Sequence, residues 1–200
     1  MKQSLIYLLL FALGVILALW GHIPDVLLKD DISKWILYGL LFFVGVQIGS
    51  GKNMLTAVKR FGFKIALVPI ATTVGTFAGA ALTSLLLPER SLIDCLSVGA
   101  GFAYYSLSSI LISEFRGAEL GTVALLANIM REFIVLVFTP WMVKYFGKLS
   151  PICAGGATTM DTTLPMITKY SGSDYVVVAL FHGMIIDFSV PLWVSFFLAL

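Results

Sequence analysis

Long apolar runs separated by short charged stretches dominate the N-terminal half of the chain. The runs at 3–21, 35–51 and 65–88 contain 19, 17 and 24 residues without a single charged side chain. A helix of about 20 apolar residues crosses a hydrocarbon core about 30 Å thick. These three runs therefore predict three transmembrane helices.

The C-terminal half has a different pattern, because polar residues interrupt its apolar stretches. The segments 97–113 and 151–166 are rich in Gly, Ser and Thr, and the second also carries an aspartate. Irregular backbone at membrane depth is stable only where protein or a water-filled cavity satisfies its amide groups. Both segments are therefore predicted to be re-entrant or broken; the alternative is a Gly-rich helix packed closely on its neighbours. The runs that follow, 119–143 and 174–200, are long enough to span.

A weak internal repeat relates the two interrupted segments. Gly101 and Glu132 are separated by the same 31 positions as Gly156 and Asp187, which corresponds to an offset of 55. Inverted repeats of this kind place two broken segments near the bilayer midplane with their tips facing each other. The alternative is a chance similarity, since identity is otherwise poor.

The distribution of basic residues favours a topology in which both interrupted segments enter and leave on one side. One side of the membrane then carries eight basic residues, Lys2, Lys52, Lys59, Arg60, Lys64, Lys144, Lys148 and Lys169, and the other carries four, Lys29, Lys34, Arg90 and Arg116. If the first segment instead crossed the membrane completely, each side would carry six basic residues, and the rule would favour neither orientation. The positive-inside rule therefore predicts five spans, a cytoplasmic N-terminus and an external C-terminus.

The composition agrees with a membrane protein. Of 200 residues 59% are hydrophobic and 12% are charged, which excludes soluble enzyme folds and intrinsic disorder. The predicted fold is all-α: a polytopic helical membrane protein of about five spans plus two re-entrant segments. We divide it into a three-helix scaffold, 1–87, and a transport region, 88–200. The net charge of +2 without a basic run does not imply nucleic acid as a partner.

No motif in the chain indicates an enzyme, a cofactor or a metal. Cys95 and Cys153 lack metal-ligand or redox spacing, and the GxSxG and HExxH patterns are absent. The chemistry is therefore expected from ionisable groups inside the membrane.

Glu132 is the central group of this kind, because it lies near the middle of its predicted helix. A charge there costs about 2.5 to 3.5 kcal/mol, so a buried acid normally faces a cavity, a partner or a proton. Asn128 lies four residues earlier on the same face, whereas Arg131 points about 100° away. Arg131 could bind a substrate carboxylate; the alternative is a structural ion pair with Asp161 or Asp187.

Further oxygen-bearing side chains lie in the second interrupted segment and the last span. Asp161, Thr162 and Thr163 belong to a run of short polar residues that could replace the water shell of a cation or an ammonium group. Asp187 and His182 share the last span. His182 could relay protons, or it could be a hydrogen-bonded packing residue.

Four stretches together give a resemblance to a known family. The runs at 99–111, 128–132, 155–165 and 181–183 resemble, in this order, the LysO lysine exporter family of bacterial inner membranes. The resemblance implies export of L-lysine and toxic lysine analogues by a carrier that exchanges them for protons, without a cofactor. On this reading the candidate pathway residues are Glu132, Arg131, Asn128, Asp161, Tyr105 and Ser106.

The resemblance also bears on partners. Typical members are longer, with an additional N-terminal membrane segment, so we expect a second, small membrane polypeptide of the same transporter, or a homodimer, to complete the carrier within the lipid bilayer. A polar face around Gln47, Thr72, Thr73 and Thr76 is predicted to meet that partner. The alternative function is a non-transporting membrane subunit or channel component.

The charge distribution makes a topological prediction. In a chain whose native cysteines are replaced, cysteines introduced beside Lys59 and Lys148 should react with an impermeant maleimide only from the cytoplasm. A cysteine beside Arg116 should react only from outside, because both interrupted segments return to the side they entered. Cytoplasmic labelling near Arg116 would contradict this topology.

Overall fold

The computed structural model describes residues 63–200 and, nearer the N-terminus, only Leu13, Ile16, Leu17, Leu19 and Trp20. The first predicted span therefore lies almost wholly, and the second wholly, outside the described residues. Residues 63–200 belong to one compact unit. All regular secondary structure in this range is helical, which confirms the all-α prediction.

Seven α-helices cover the range 63–200. They are α1 (Leu67–Leu86), α2 (Leu92–Gly99), α3 (Tyr105–Arg116), α4 (Ala118–Phe146), α5 (Ser150–Gly155), α6 (Leu164–Ser171) and α7 (Val176–Leu198). Short 3-10 helices occupy Phe63–Ala66, Gly156–Met160 and Ser173–Tyr175. By length and composition α1, α4 and the stretch Ser173–Leu198 can each cross a membrane, as the apolar runs of the sequence predict.

Local sequence signals explain where the short helices begin. Ser91 caps α2: its hydroxyl accepts from the Asp94 amide at 3.0 Å, and the Asp94 carboxylate accepts from the Ser91 amide at 3.4 Å. Pro151 and Pro165 lie in the first turns of α5 and α6, where the missing amide hydrogen costs nothing.

Both interrupted segments are broken helices, as their Gly and Ser content predicts. The first unwinds between Gly99 and Tyr105, and the second unwinds from Gly156 until α6 begins at Leu164. Whether each segment returns to the side that it enters stays a prediction.

The tips of the two broken segments are in direct contact. The Ala157 amide donates to the Phe102 carbonyl at 2.9 Å, and these residues are 4% and 0% exposed. Phe102 and Ala103 have left-handed backbone angles, with φ of 44° and 70°. Gly156 is also left-handed, and a Cβ there would collide with the Phe102 carbonyl. The unwound backbone is therefore enclosed in protein, as its position in a membrane protein requires.

The helix bounds repeat with the offset of 55 found in the sequence. Helix α3 ends before Gly117 and α6 ends before Gly172, and these glycines share nearly the same backbone angles, φ 92° and ψ 162° against φ 103° and ψ 160°. The contacting tip residues Phe102 and Ala157 are also 55 positions apart. The offset thus relates two structural units as well as two stretches of sequence; their inverted relation stays a prediction.

The outer surfaces of the long helices are apolar. Exposed hydrophobic side chains include Leu82 and Leu85 on α1, Phe133 on α4 and Phe188 on α7. A surface of this kind is stable against lipid and unfavourable against water. It agrees with three helices that face a bilayer.

Candidate functional site

Three carboxylates converge from different elements beside the contacting tips. Glu132 belongs to α4, Asp161 lies in the second broken segment, and Asp187 belongs to α7. The charge of Asp161 acts on both of the other carboxylates, and the Thr162 hydroxyl lies beside Glu132. Asp187 is only 4% exposed, Glu132 is half-buried and Asp161 is exposed. The cluster therefore extends from the protein interior to an accessible surface.

The Asp161 carboxylate is oriented by the residue that follows it. Its Oδ1 atom accepts from the Thr162 amide and from the Thr162 hydroxyl, the latter at 3.3 Å. The Asp161 backbone, with φ −136° and ψ −90°, lies between the 3-10 turn and α6. This turn presents the carboxylate and the hydroxyl together.

Tyr104, at the N-terminal end of α3, faces the same acids. The negative charges of Asp187 and Asp161 act on its phenol. The phenol hydroxyl can donate a hydrogen bond to a carboxylate.

Asn128 holds the first broken segment. Its Oδ1 accepts from the Ala103 amide at 2.7 Å, and its Nδ2 donates to the carbonyls of Val98 at 3.2 Å and Ala124 at 2.9 Å. Asn128 is 3% exposed, so these bonds satisfy polar groups that water does not reach. The side chain thus supports the left-handed turn that carries Phe102 and Ala103.

Threonines and His182 hold the second broken segment. The Thr163 hydroxyl donates to the Thr158 carbonyl at 2.9 Å, which closes the turn around Asp161. His182 is fully buried, with Nδ1 3.1 Å from the Thr159 hydroxyl and Nε2 2.8 Å from the Thr72 hydroxyl. Both ring nitrogens therefore contact neutral hydroxyl groups.

Arg131 lies on another side of α4 from Glu132. Its guanidinium donates to the Ala154 carbonyl at 2.7 Å and, at 3.3 Å, to the Cys153 carbonyl and the Thr76 hydroxyl. Within the described part of the chain it forms no ion pair with Asp161 or Asp187, so the ion-pair alternative is wrong. The sequence could not reveal these partners, because two of them are backbone carbonyls.

The predicted partner-facing position of Thr72 on α1 is wrong, whereas Thr73 and Thr76 are half-buried and their contact with a partner stays a prediction. Thr72 is buried and contacts His182, Thr76 accepts a hydrogen bond from Arg131, and the Thr73 hydroxyl donates to the Pro69 carbonyl at 2.9 Å. These three threonines are thus engaged inside the chain; Gln47 lies outside the described residues.

The structure divides the sequence-predicted residues into two groups. Glu132, Asp161, Thr162 and Asp187 form the carboxylate cluster, whereas Asn128, Arg131, Thr163 and His182 hydrogen-bond the broken segments. Tyr105 and Ser106 form the half-buried first turn of α3, directly after Tyr104. Sequence reasoning missed Tyr104 as a site residue, because it lies just before α3, where helical periodicity does not fix the direction of a side chain.

The cluster has the chemistry of a site for protons and small cations. Carboxylates that interact with one another and are partly removed from water favour binding a proton or a positively charged group. Among residues 63–200 no group of three or more His, Cys, Asp or Glu side chains is arranged to hold a metal ion. The carboxylate and hydroxyl oxygens of the cluster are hydrogen-bond acceptors, and ammonium groups are suitable donors for them.

Two lysine exporters are similar to this chain in sequence. It is 31% identical over 171 residues to the lysine exporter LysO of Escherichia coli, an alignment covering 84% of this chain and 56% of that protein. It is 27% identical over 180 residues to a candidate lysine exporter of Haemophilus influenzae, covering 89% of this chain and 87% of that protein. The chain thus spans little more than half the length of the first relative. No solved structure matches it significantly.

The match to a family profile covers nearly the whole chain. The profile described as "Lysine exporter LysO" matches residues 8–198, which include the broken segments, the three carboxylates and the side chains that hold them. This multi-pass helical membrane protein therefore belongs to the LysO lysine exporter family.

Proposed function

We propose that this chain exports L-lysine, and lysine analogues, across the bacterial inner membrane in exchange for protons. The observation that carries the proposal is the convergence of Glu132, Asp161 and Asp187 beside the contacting tips of two broken segments. Transporter sites are commonly built where discontinuous helices meet. The names of the two bacterial relatives supply the substrate and the direction of transport.

The charge of the cluster supports a cationic amino acid. Lysine must release water from its ammonium groups when it enters the membrane, and carboxylates can compensate that loss. Thr162 and Tyr104 add hydroxyl groups beside the acids. The cluster therefore provides both charge and hydrogen-bonding groups for a primary ammonium.

Proton exchange follows from competition for the same carboxylates. Three neighbouring acids cannot all stay ionised at low cost, because like charges oppose each other where water is scarce. When lysine is absent, protons reduce this repulsion; when lysine binds, its ammonium groups do so. Protons and lysine then occupy the cluster alternately, which is the requirement for antiport.

We further propose that a second small membrane polypeptide of the same transporter completes the carrier. The Escherichia coli relative has almost half of its length outside the region matched here. Separately inserted helices can associate by packing and interhelical hydrogen bonds, so such a segment can act in trans. A homodimer is the competing arrangement.

Replacement of Glu132 tests the proposed function. Glu132→Gln keeps the size of the side chain but can neither balance an ammonium charge nor release a proton. We expect lysine counterflow in proteoliposomes to fall roughly a hundredfold, because an uncompensated charge at this depth costs about 2.5 to 3.5 kcal/mol. Asp187→Asn should also reduce counterflow, since Asp187 lies in the cluster and does not pair with Arg131.

The matched control is Asp174→Asn, an exposed acid at the start of the last helical stretch. It should leave lysine counterflow within about twofold of the unmodified chain, because a surface charge contributes little. Undiminished counterflow by the Glu132→Gln protein would contradict the proposed site. Absence of lysine counterflow by the unmodified protein and any partner would favour a non-transporting subunit.

Coexpression tests the proposed partner. This chain should copurify with a small hydrophobic polypeptide encoded beside it, and lysine efflux should rise several-fold over that of the chain alone. Full efflux by the chain expressed alone would contradict a second polypeptide. In that case, crosslinking in the membrane would distinguish a homodimer from a monomer.

A further inference from the structure

Arg131 forms its contacts at the place where α5 ends. Its Nε donates to the Ala154 carbonyl at 2.7 Å, and its Nη2 donates to the Cys153 carbonyl at 3.3 Å. The last carbonyls of a helix lack partners within the helix and carry the negative end of its dipole. The half-buried guanidinium is therefore a C-terminal cap for α5, just before the second broken segment unwinds.

The same guanidinium also contacts the first broken segment. Its central carbon lies 5.5 Å from the centroid of the Phe102 ring, and Phe102 is fully buried. A cation over an aromatic face is attracted by the negative charge of the ring face, most strongly where water is excluded. Arg131 thus binds the second segment by hydrogen bonds and the first through an aromatic ring at its tip.

His182 forms a second bridge of similar design. One ring nitrogen contacts the Thr159 hydroxyl in the second segment, and the other contacts Thr72 on α1. Arg131 also reaches α1, through the Thr76 hydroxyl. Thr72 and Thr76 are four residues apart and therefore lie on one face of α1. Two bridges thus connect this face to the second broken segment, one at the end of α5 and one at Thr159 in the unwound stretch.

These contacts place Arg131 away from the carboxylates. A groove of about 590 Å³ on its side of α4 is lined by small residues of α1, α4 and α5, among them Ala71, Gly75, Ala127 and Ala154, and by none of the three carboxylates. Arg131 and the carboxylates therefore act on different sides of the second segment.

We propose that Arg131 and His182 are positioning residues that fix the second broken segment against the threonine face of α1, so that Asp161 and Thr162 meet Glu132. Arg131 then does not bind the substrate carboxylate, and His182 does not relay protons. The role in transport depends on the proposed lysine export. The structural role does not depend on lysine export, so an experiment can refute one of these roles without refuting the other.

Native Cys153 provides a readout that does not involve transport. Its carbonyl accepts from Arg131, its thiol is free and half-buried, and Cys95 is the other cysteine of the chain. In a Cys95→Ser background, Arg131→Gln should increase the rate of Cys153 alkylation by N-ethylmaleimide about fivefold or more, because α5 loses its cap. Arg131→Lys, which keeps the charge but not the fork of donors, should give an intermediate rate.

Glu132→Gln is the matched control for labelling, because Glu132 is the next residue on α4 and faces the carboxylate cluster. It should leave the Cys153 alkylation rate unchanged. An equal rate in the Arg131→Gln, Arg131→Lys and unmodified proteins would overturn the proposed positioning role, whether or not the protein transports lysine.

A double-mutant cycle tests the consequence for transport. Thr76→Val removes a partner of Arg131 and should reduce the maximal rate of lysine counterflow several-fold, with little change in KM. The double variant Thr76→Val, Arg131→Gln should have the same maximal rate as Arg131→Gln alone, because both substitutions break the same bridge. If the two substitutions instead reduced the rate independently, so that their effects multiplied in the double variant, the proposal would be contradicted. A rise in KM in Arg131→Gln alone would also contradict it and would favour direct binding of lysine by Arg131.

For the second bridge, Thr72→Val should lower the maximal rate without altering its pH profile, because His182 acts through hydrogen bonds and not through titration. His182→Gln should likewise preserve the shape of the pH profile. A pH profile flattened by His182→Gln would instead indicate a proton relay.

Discussion

The structure depends on one constraint: backbone that leaves the helical conformation inside a membrane protein must find its hydrogen-bond partners in protein. At the tips of the two broken segments these partners are found mostly within the segments and in the helices beside them. The Ala157 amide bonds to the Phe102 carbonyl, and Asn128 bonds to the Ala103 amide. Because these bonds fix the tips, they also fix the turn that presents Asp161.

The distribution of charge follows from this arrangement. The charge of Asp161 acts on Glu132 and on Asp187, whereas the cation Arg131 is engaged with the carbonyls of α5. Its positive charge therefore stabilises backbone and does not neutralise the acids. This separation agrees with the proposed export of a cationic amino acid, because an arginine paired with the acids would compete with that substrate.

The sequence predicts the parts of this fold that depend on composition and spacing. An uncharged run locates α1, long apolar runs locate α4 and α7, and Gly-rich interruptions locate both broken segments, because lipid imposes simple rules on helix length and on exposed backbone. An intramembrane acid such as Glu132 is conspicuous for the same reason. The partners of Arg131 are not predictable in this way, since every residue has a carbonyl. Nor are the left-handed angles of Phe102 and Ala103, because neither residue is a glycine.

The proposed binding of lysine ammonium groups by the carboxylate cluster can be measured directly at Thr162, because this residue is exposed and lies beside Glu132. A Thr162→Cys protein without native cysteines would be labelled with a small maleimide in the presence of L-lysine or of norleucine, which lacks the side-chain amine. We predict that lysine slows the labelling several-fold and that norleucine does not. Equal labelling rates at lysine concentrations that saturate transport would contradict the account.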